Sequence, residues 1–282
     1  MKTKMVILLL CCRLFCAGQD KSHLPNLTFQ LNLNPVPITE ISGADTSFRN
    51  ALSVAPAIDF RSKSGLGILY SPSFVTSGSK AGIYLHTVTA GYEKYGGKNF
   101  DLALNYSHYF FTHSTSVPYS PISNELYLYF AYSKTWLRPT IAFSYGFGRD
   151  SSESAVNDLA LAGGLSHIFK WTDKGPFPDM ELTPSVLMNL GTNKYFSFLN
   201  VSKYISHSHN FTKVVKKGGK NSQARTDSSS PFSVNNIEFN LEGSLEMGRF
   251  TARPTGSIFL PVGSDTDNAV YGYWQLTLQY RL

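Results

Sequence analysis

Glu238, Glu242 and Glu246 recur at every fourth position near the C-terminus. Paired carboxylates hydrolyse glycosides when their groups stand about 5–9.5 Å apart. The residues around them alternate, with Ile237, Phe239, Leu241, Leu245 and Met247 on one face and the glutamates with Asn240 and Ser244 on the other, so the segment reads as a strand. Residues four apart on a strand are separated by roughly 13 Å. The three carboxylates therefore form no hydrolytic pair among themselves and are expected to meet Arg253 and Arg281 on neighbouring strands. A Ser–His pair could hydrolyse lipid, but neither His108 nor His167 lies in a His-x-Ser arrangement. His207-Ser208-His209 offers two imidazoles, short of the three or four ligands of most zinc sites. Gly65-Leu66-Gly67 lacks the third glycine and following helix of a dinucleotide loop. The sequence assigns no catalytic residue, no metal site and no cofactor.

These side chains must be positioned by strands, because two-residue alternation recurs along the chain and helical periodicity almost never does. At the C-terminus Trp274, Leu276, Leu278, Tyr280 and Leu282 alternate with Tyr273, Gln275, Thr277, Gln279 and Arg281. Phe100, Leu102, Leu104 and Tyr106 alternate likewise with Asp101, Ala103, Asn105 and Ser107. A weak repeat joins an alternating strand, a turn and a second strand that opens with proline, at Leu137-Arg138-Pro139, Leu182-Thr183-Pro184 and Ala252-Arg253-Pro254. Proline is tolerated at such a strand start. The pattern predicts strands at 51–61, 65–75, 82–94, 98–111, 123–134, 137–148, 157–170, 179–191, 234–247, 249–262 and 270–282. An even count requires one more, and Leu27 to Leu33 supplies it. Long connections at 34–50, 76–81, 112–122, 149–156, 192–233 and 263–269 then share one end. The connection from Trp171 to Asp179 is too long for a tight turn. The half of the largest loop from His207 to Pro231 is basic and rich in serine and glycine, and reads as a mobile external segment.

The N-terminus predicts export. A basic start, the apolar run Met5 to Cys12 and the small residues Cys16-Ala17-Gly18 read as a signal peptide over 1–18, leaving a single domain over 19–282. All three cysteines lie in that segment, so the mature chain has no disulfide or thiolate chemistry. Removing Lys2, Lys4 and Arg13 leaves 22 basic against 19 acidic residues, a balance that excludes a strongly basic nucleic-acid binder. No later apolar stretch reaches the ~20 residues of a membrane helix, so any membrane crossing uses strands. Segments of 10 to 14 residues meet the ~9–11 that a tilted strand needs. Aromatics fall toward the ends of their apolar faces at Tyr70, Phe74, Trp171, Trp274 and Tyr280.

The signal, the cysteine-free mature chain, the hairpin repeat and the terminal Trp274-Gln275-Leu276-Thr277-Leu278-Gln279-Tyr280-Arg281-Leu282 resemble the outer-membrane β-barrel proteins of Gram-negative bacteria. That family usually ends in an aromatic residue, whereas this chain ends in Leu282. The resemblance implies an all-β, antiparallel up-and-down transmembrane barrel of about 12 strands in the bacterial outer membrane. Its implied partners are outer-membrane lipids, lipopolysaccharide and the barrel assembly machinery. The polar strand faces then line the interior with Asp101, Glu125, Arg138, Asp158, Glu181, Glu238, Glu242, Glu246, Arg253 and Arg281. Such residues either line a small-solute pore or pair across and fill it, and the expected function is a non-enzymatic pore or structural surface barrel. The alternatives are an outer-membrane lipid hydrolase, working through His108 or His167, and a soluble exported glycan-binding β-sandwich.

Overall fold

A computed structural model describes residues 26–42, 45–78, 81–112, 117, 120–149, 153–171, 179–192, 232–262 and 270–282. The expected signal segment, all three cysteines, His207 and His209, and the basic stretch within 207–231 lie outside the described residues. The strands are β1 (Asn26–Ser42), β2 (Asp45–Arg61), β3 (Leu66–Val75), β4 (Gly82–Lys94), β5 (Phe100–Phe111), β6 (Ile122–Tyr132) and β7 (Arg138–Arg149). They continue as β8 (Ala155–Ser166), the short β9 (Phe169–Trp171), β10 (Asp179–Gly191), β11 (Ser233–Met247), β12 (Phe250–Pro261) and β13 (Tyr271–Arg281).

Each strand pairs antiparallel with its sequence neighbours, β13 pairs with β1, and the wall closes into a barrel of twelve strand positions. β8 and β9 share one position, both pairing with β10. The closed wall excludes the soluble sandwich, because its outward face is a continuous apolar belt. Ile58, Ile68, Leu104, Leu128, Ile141, Val186, Leu241 and Trp274 are all exposed on it. Inward positions instead carry Ser53, Ser71, Thr87, Asn105, Thr140, Ser185, Asn240 and Thr277, all buried. Alternation thus places one face toward hydrocarbon and the other toward a shared interior.

Both ends of the wall, at Asn26 and Leu282, sit with the short turns 62–65, 95–99, 133–137 and 248–249, and Leu282 N–H donates to the Leu27 carbonyl at 3.1 Å. Gly65 has φ 100°, and a Cβ there would lie 2.3 Å from the Glu93 carbonyl oxygen, so the tightness of this turn demands glycine. Aromatics crowd the same end, where the Trp136 and His167 rings lie 4.6 Å apart, His167 and Phe169 4.5 Å, and Phe100 and Phe130 5.8 Å. Farther up the outer wall Tyr70 bonds His86 at 2.9 Å and Tyr106 bonds Asn124 at 2.6 Å. Outward aromatics of this kind are expected of a spanning barrel.

The twelve predicted strands are present, and one predicted connection is overturned. Residues 34–50 do not form a loop, because β1 and β2 stay paired from Asn26 opposite Arg61 to Ser42 opposite Asp45. Pro35 and Pro37 suggested a break, but they lie beyond Leu33, the last residue paired with β13. There β1 is an edge strand, and an edge tolerates proline. A second difference is that the predicted 157–170 strand divides at His167 and Ile168 into β8 and β9.

An arginine at Leu128, in the middle of the outward face of β6, is expected to cost about 2–4 kcal/mol of folding stability in lipid. Urea unfolding in vesicles reads this directly; a loss below ~0.5 kcal/mol would place that face outside hydrocarbon.

Candidate functional site

The interior is built by the alternation that makes the outer belt. Asp101, Glu125, Arg138, Asp158, Glu238 and Arg253 are buried, on the same side of their strands as the buried serines and threonines. Glu181, Glu242, Glu246 and Arg281 share that alternating face but reach water to different degrees, Glu246 and Arg281 being exposed. The same rule applied to 51–61 and 82–94 adds three groups that the sequence reading left out: Asp59, Arg61 and Glu93. Lys170 on β9 is a fourth, opposite Glu181.

These charges fall into two tiers. Within five residues of the short-turn end, acids and bases are interleaved. Arg61 bridges Glu93 at 3.0 Å and Asp59 at 3.4 Å, and Asn105 Nδ2 donates to Glu93 Oε1 at 3.1 Å. Arg138 pairs with Asp101 and donates to Ser133 Oγ at 3.1 Å. Asp101 is on β5 and Arg138 on β7, so the pair arches over Ala131 of β6, whose small side chain leaves the space. Lys170 Nζ lies 2.5 Å from Glu181 Oε1; both groups are substantially exposed, so this pair adds little stability.

The expected glutamate ladder takes its place here. Glu242 faces Thr255 and Glu246 faces Thr251, so Arg253 stands between them on β12, diagonal to both, and its Nη1 donates to Gln279 Oε1 at 3.0 Å. Arg281 lies at the rim, its backbone N–H bonded to the Arg249 carbonyl at 2.9 Å. A row therefore runs from Lys170 through Glu181, Ser244 and Arg253 toward Thr277.

The upper tier, seven to nine residues above the short-turn ends or about 20 Å along the barrel axis, carries only acids among the described residues. Glu125, Asp158 and Glu238 are 2%, 1% and 2% exposed, so each depends on hydrogen bonds to offset the cost of its burial. Glu125 accepts from Tyr109 at 2.5 Å and from Ser144. Asp158 accepts from Thr192 and from the Leu159 N–H at 3.0 Å. Both acids lie opposite Gly146, which brings no side chain between them. Glu238 accepts from Ser257 at 2.9 Å and from Asn189 at 3.1 Å.

The interior also carries apolar surface that the sequence reading did not foresee. Val36, Ile38, Tyr84, Leu85 and Tyr109 cluster toward the long-loop end. Tyr127 and Tyr129 cluster with Ala103, Ala131, Ala142, Ala160 and Ala162. On β6 the outward Leu126, Leu128 and Phe130 alternate with the inward tyrosines, so the stretch reads as one apolar run and hides its two faces.

His108 and His167 do not occupy a hydrolytic arrangement. His108 lies on the outer wall with Nδ1 2.7 Å from Asn124 Oδ1 and its ring edge-on to Phe110, and His167 Nδ1 is 2.6 Å from the Trp136 carbonyl. Their partners are an amide and a backbone carbonyl, which supply no nucleophile. Among the described residues no group of three or more metal-ligating side chains comes together.

Removing Arg138 alone leaves Asp101 buried without its cation. Arg138→Met should destabilise the folded barrel by about 3–5 kcal/mol, while Asp101→Leu with Arg138→Met should recover most of that loss. Denaturant titration of both variants checks it, and equal losses would make the pair irrelevant to stability.

No family model and no curated protein sequence matches the chain. Its fold is similar to that of an outer-membrane channel from Pseudomonas putida F1, at 9% identity over 94% of this chain and 100% of that one, with a TM-score of 0.50. It is also similar to the translocator domain of the autotransporter NalP from Neisseria meningitidis, at 12% identity over 100% and 97%, TM-score 0.49. The NanC porin aligns at 10% identity over 90% and 100%, TM-score 0.45. At such identities the likeness concerns architecture alone; the pairing of β1 with β13 and the apolar outer belt make this chain a closed, membrane-type antiparallel β-barrel.

Proposed function

We propose that this chain is a non-enzymatic pore of the bacterial outer membrane that passes small solutes along a charged interior. The observation that carries the reading is the division of one wall into an apolar outer face and an inner face of hydroxyls, amides and paired charges. Hydrocarbon accounts for the outer face, and the polar inner face is what a passing or bound polar solute would meet. The lining comprises the ten charged positions from Asp101 to Arg281 named above, with Asp59, Arg61, Glu93 and Lys170 added. At the short-turn end six acids are interleaved with five bases, and the acidic upper tier adds to the negative sign of the lumen.

The outer belt and its outward aromatics suit contact with membrane lipids and lipopolysaccharide, and insertion would fall to the barrel assembly machinery. The hydrolase reading through His108 or His167 loses its support, because among the described residues their ring nitrogens meet an amide and a backbone carbonyl.

Single-channel recording of the folded protein in planar bilayers tests the proposal. Steady conductance steps that favour cations are expected, with the cation-to-anion permeability ratio falling when Glu238, Glu242 and Glu246 are all changed to glutamine. A protein that shows the heat-dependent electrophoretic shift of a folded barrel and yet passes no current would overturn the pore reading.

A further inference from the structure

The first hairpin is held to itself more firmly than to the wall. β1 and β2 share seventeen residue pairs, whereas β1 shares six with β13 and β2 shares six with β3. Antiparallel strands exchange backbone bonds at every second residue pair, and two bonds fix which pairs these are. Leu282 N–H donates to the Leu27 carbonyl at 3.1 Å, so the odd residues of β1 direct their backbone groups toward β13. Pro35 and Pro37 are the next odd residues after Leu33 and have no N–H to give, and the seam ends at Leu33. Thr76 N–H donates to the Leu52 carbonyl at 3.1 Å, so the even residues of β2 direct theirs toward β3. Pro56 and Pro72 face each other at such a pair, and there the ladder is interrupted between Val54 and Ile58. The three prolines of the hairpin therefore remove bonds from its two borders and none from its own ladder.

Above Leu33 and Pro56, among the described residues, the hairpin is pinned to the wall through residues 52–54 of β2 against 74–76 of β3. Its inward side chains at that height include Val36, Ile38 and Ala51, which form one apolar cluster with Val75, Tyr84 and Tyr109 toward the long-loop end. None of the six is more than 7% exposed, so this level is sealed by apolar groups.

We propose that the upper part of the first hairpin is a hinged flap that gates the lumen, an inference that rests on the pore reading for its current. The flap swings as one unit about the level of Leu33 and Pro56, where both borders lose their bonds, and parts Val36 and Ile38 from the cluster. Polar groups lower in the lumen can trade their hydrogen bonds for water at small net cost, whereas an apolar constriction excludes water until it opens. Burial of Val36 and Ile38 favours the closed state, and the short ladder to β3 is its latch.

The test uses the full chain with Cys11, Cys12 and Cys16 changed to serine, so that introduced thiols have no competitor. Ser53 and Val75 are opposite each other in the latch at a pair without backbone bonds, the closer kind of antiparallel pair, which suits a disulfide. In planar bilayers, oxidising Ser53→Cys with Val75→Cys should cut the fraction of time at full conductance at least about tenfold, and reduction should restore it. Leu33→Cys with Val54→Cys, a bridge at the same height inside the hairpin, should leave that fraction unchanged. Ile38→Ser should raise it about tenfold. A latch bridge without effect, an equal effect from the internal bridge, or closures in Ile38→Ser like those of the parent would overturn the flap while leaving the pore intact. If the folded protein carries no current the pore reading fails, and amide exchange in the detergent-folded barrel then decides the flap alone. Oxidising the latch pair should slow exchange at Thr76 and, on the other border, at Leu33 together, each at least about tenfold. Slowing at Thr76 alone, or at neither, would overturn a hairpin that moves as one unit.

Discussion

Every feature of this molecule follows from the absence of hydrogen-bond partners in hydrocarbon. A strand that crosses a bilayer must find its backbone partners on other strands, and the only sheet with no unpaired edge is one joined to itself. Here the joint is β1 against β13, and once it forms, alternation has a single meaning around the whole ring, with odd and even positions assigned to lipid or lumen. The outer belt, its outward aromatics and the buried ionic tiers are consequences of that closure.

The interior tiers show two solutions to the same energetic problem. Near the short turns, carboxylates are neutralised by guanidinium groups across one or two strands, as in Arg61 with Glu93 and Arg138 with Asp101. Higher up, Glu125, Asp158 and Glu238 are held by hydroxyl and amide donors. The first solution ties strands to one another through ion pairs; the second holds each acid by hydrogen bonds. The mixed lower tier is therefore structural in effect.

Much of this was legible in the residues. Strand positions followed from period-two alternation with errors of a residue or two at most ends, because in a one-layer wall the hydrophobic pattern is set by lipid rather than by an irregular core. The inward direction of Asp101, Arg138, Glu238 and Arg253 followed from the same pattern. What escaped was of two kinds. The upper part of the first hairpin was hidden by Pro35 and Pro37, whose cost depends on whether a third strand lies alongside, a fact of tertiary register. The inner tyrosines were hidden because β6 is apolar on both faces, and no periodicity separates an aromatic lumen wall from a lipid-facing one.

The seam itself is a short ladder between strands at opposite ends of the chain. β1 and β13 share only six residue pairs, from Thr28 opposite Arg281 to Leu33 opposite Leu276, whereas β1 and β2 share seventeen. The partners are nearly the whole chain apart, as the bond from Thr277 Oγ1 to Asn32 Oδ1 shows with 245 residues between its ends. Contacts of such sequence separation form late, so eleven strand positions' worth of hairpins stand ready before the ring can shut. A chain truncated before β13 would hold its local pairings from β1 to β12 and still present two raw edges, at β1 and β12, each a template for another strand. The last eleven residues of ladder thus convert a sheet prone to join its neighbours into a particle with nothing left to join.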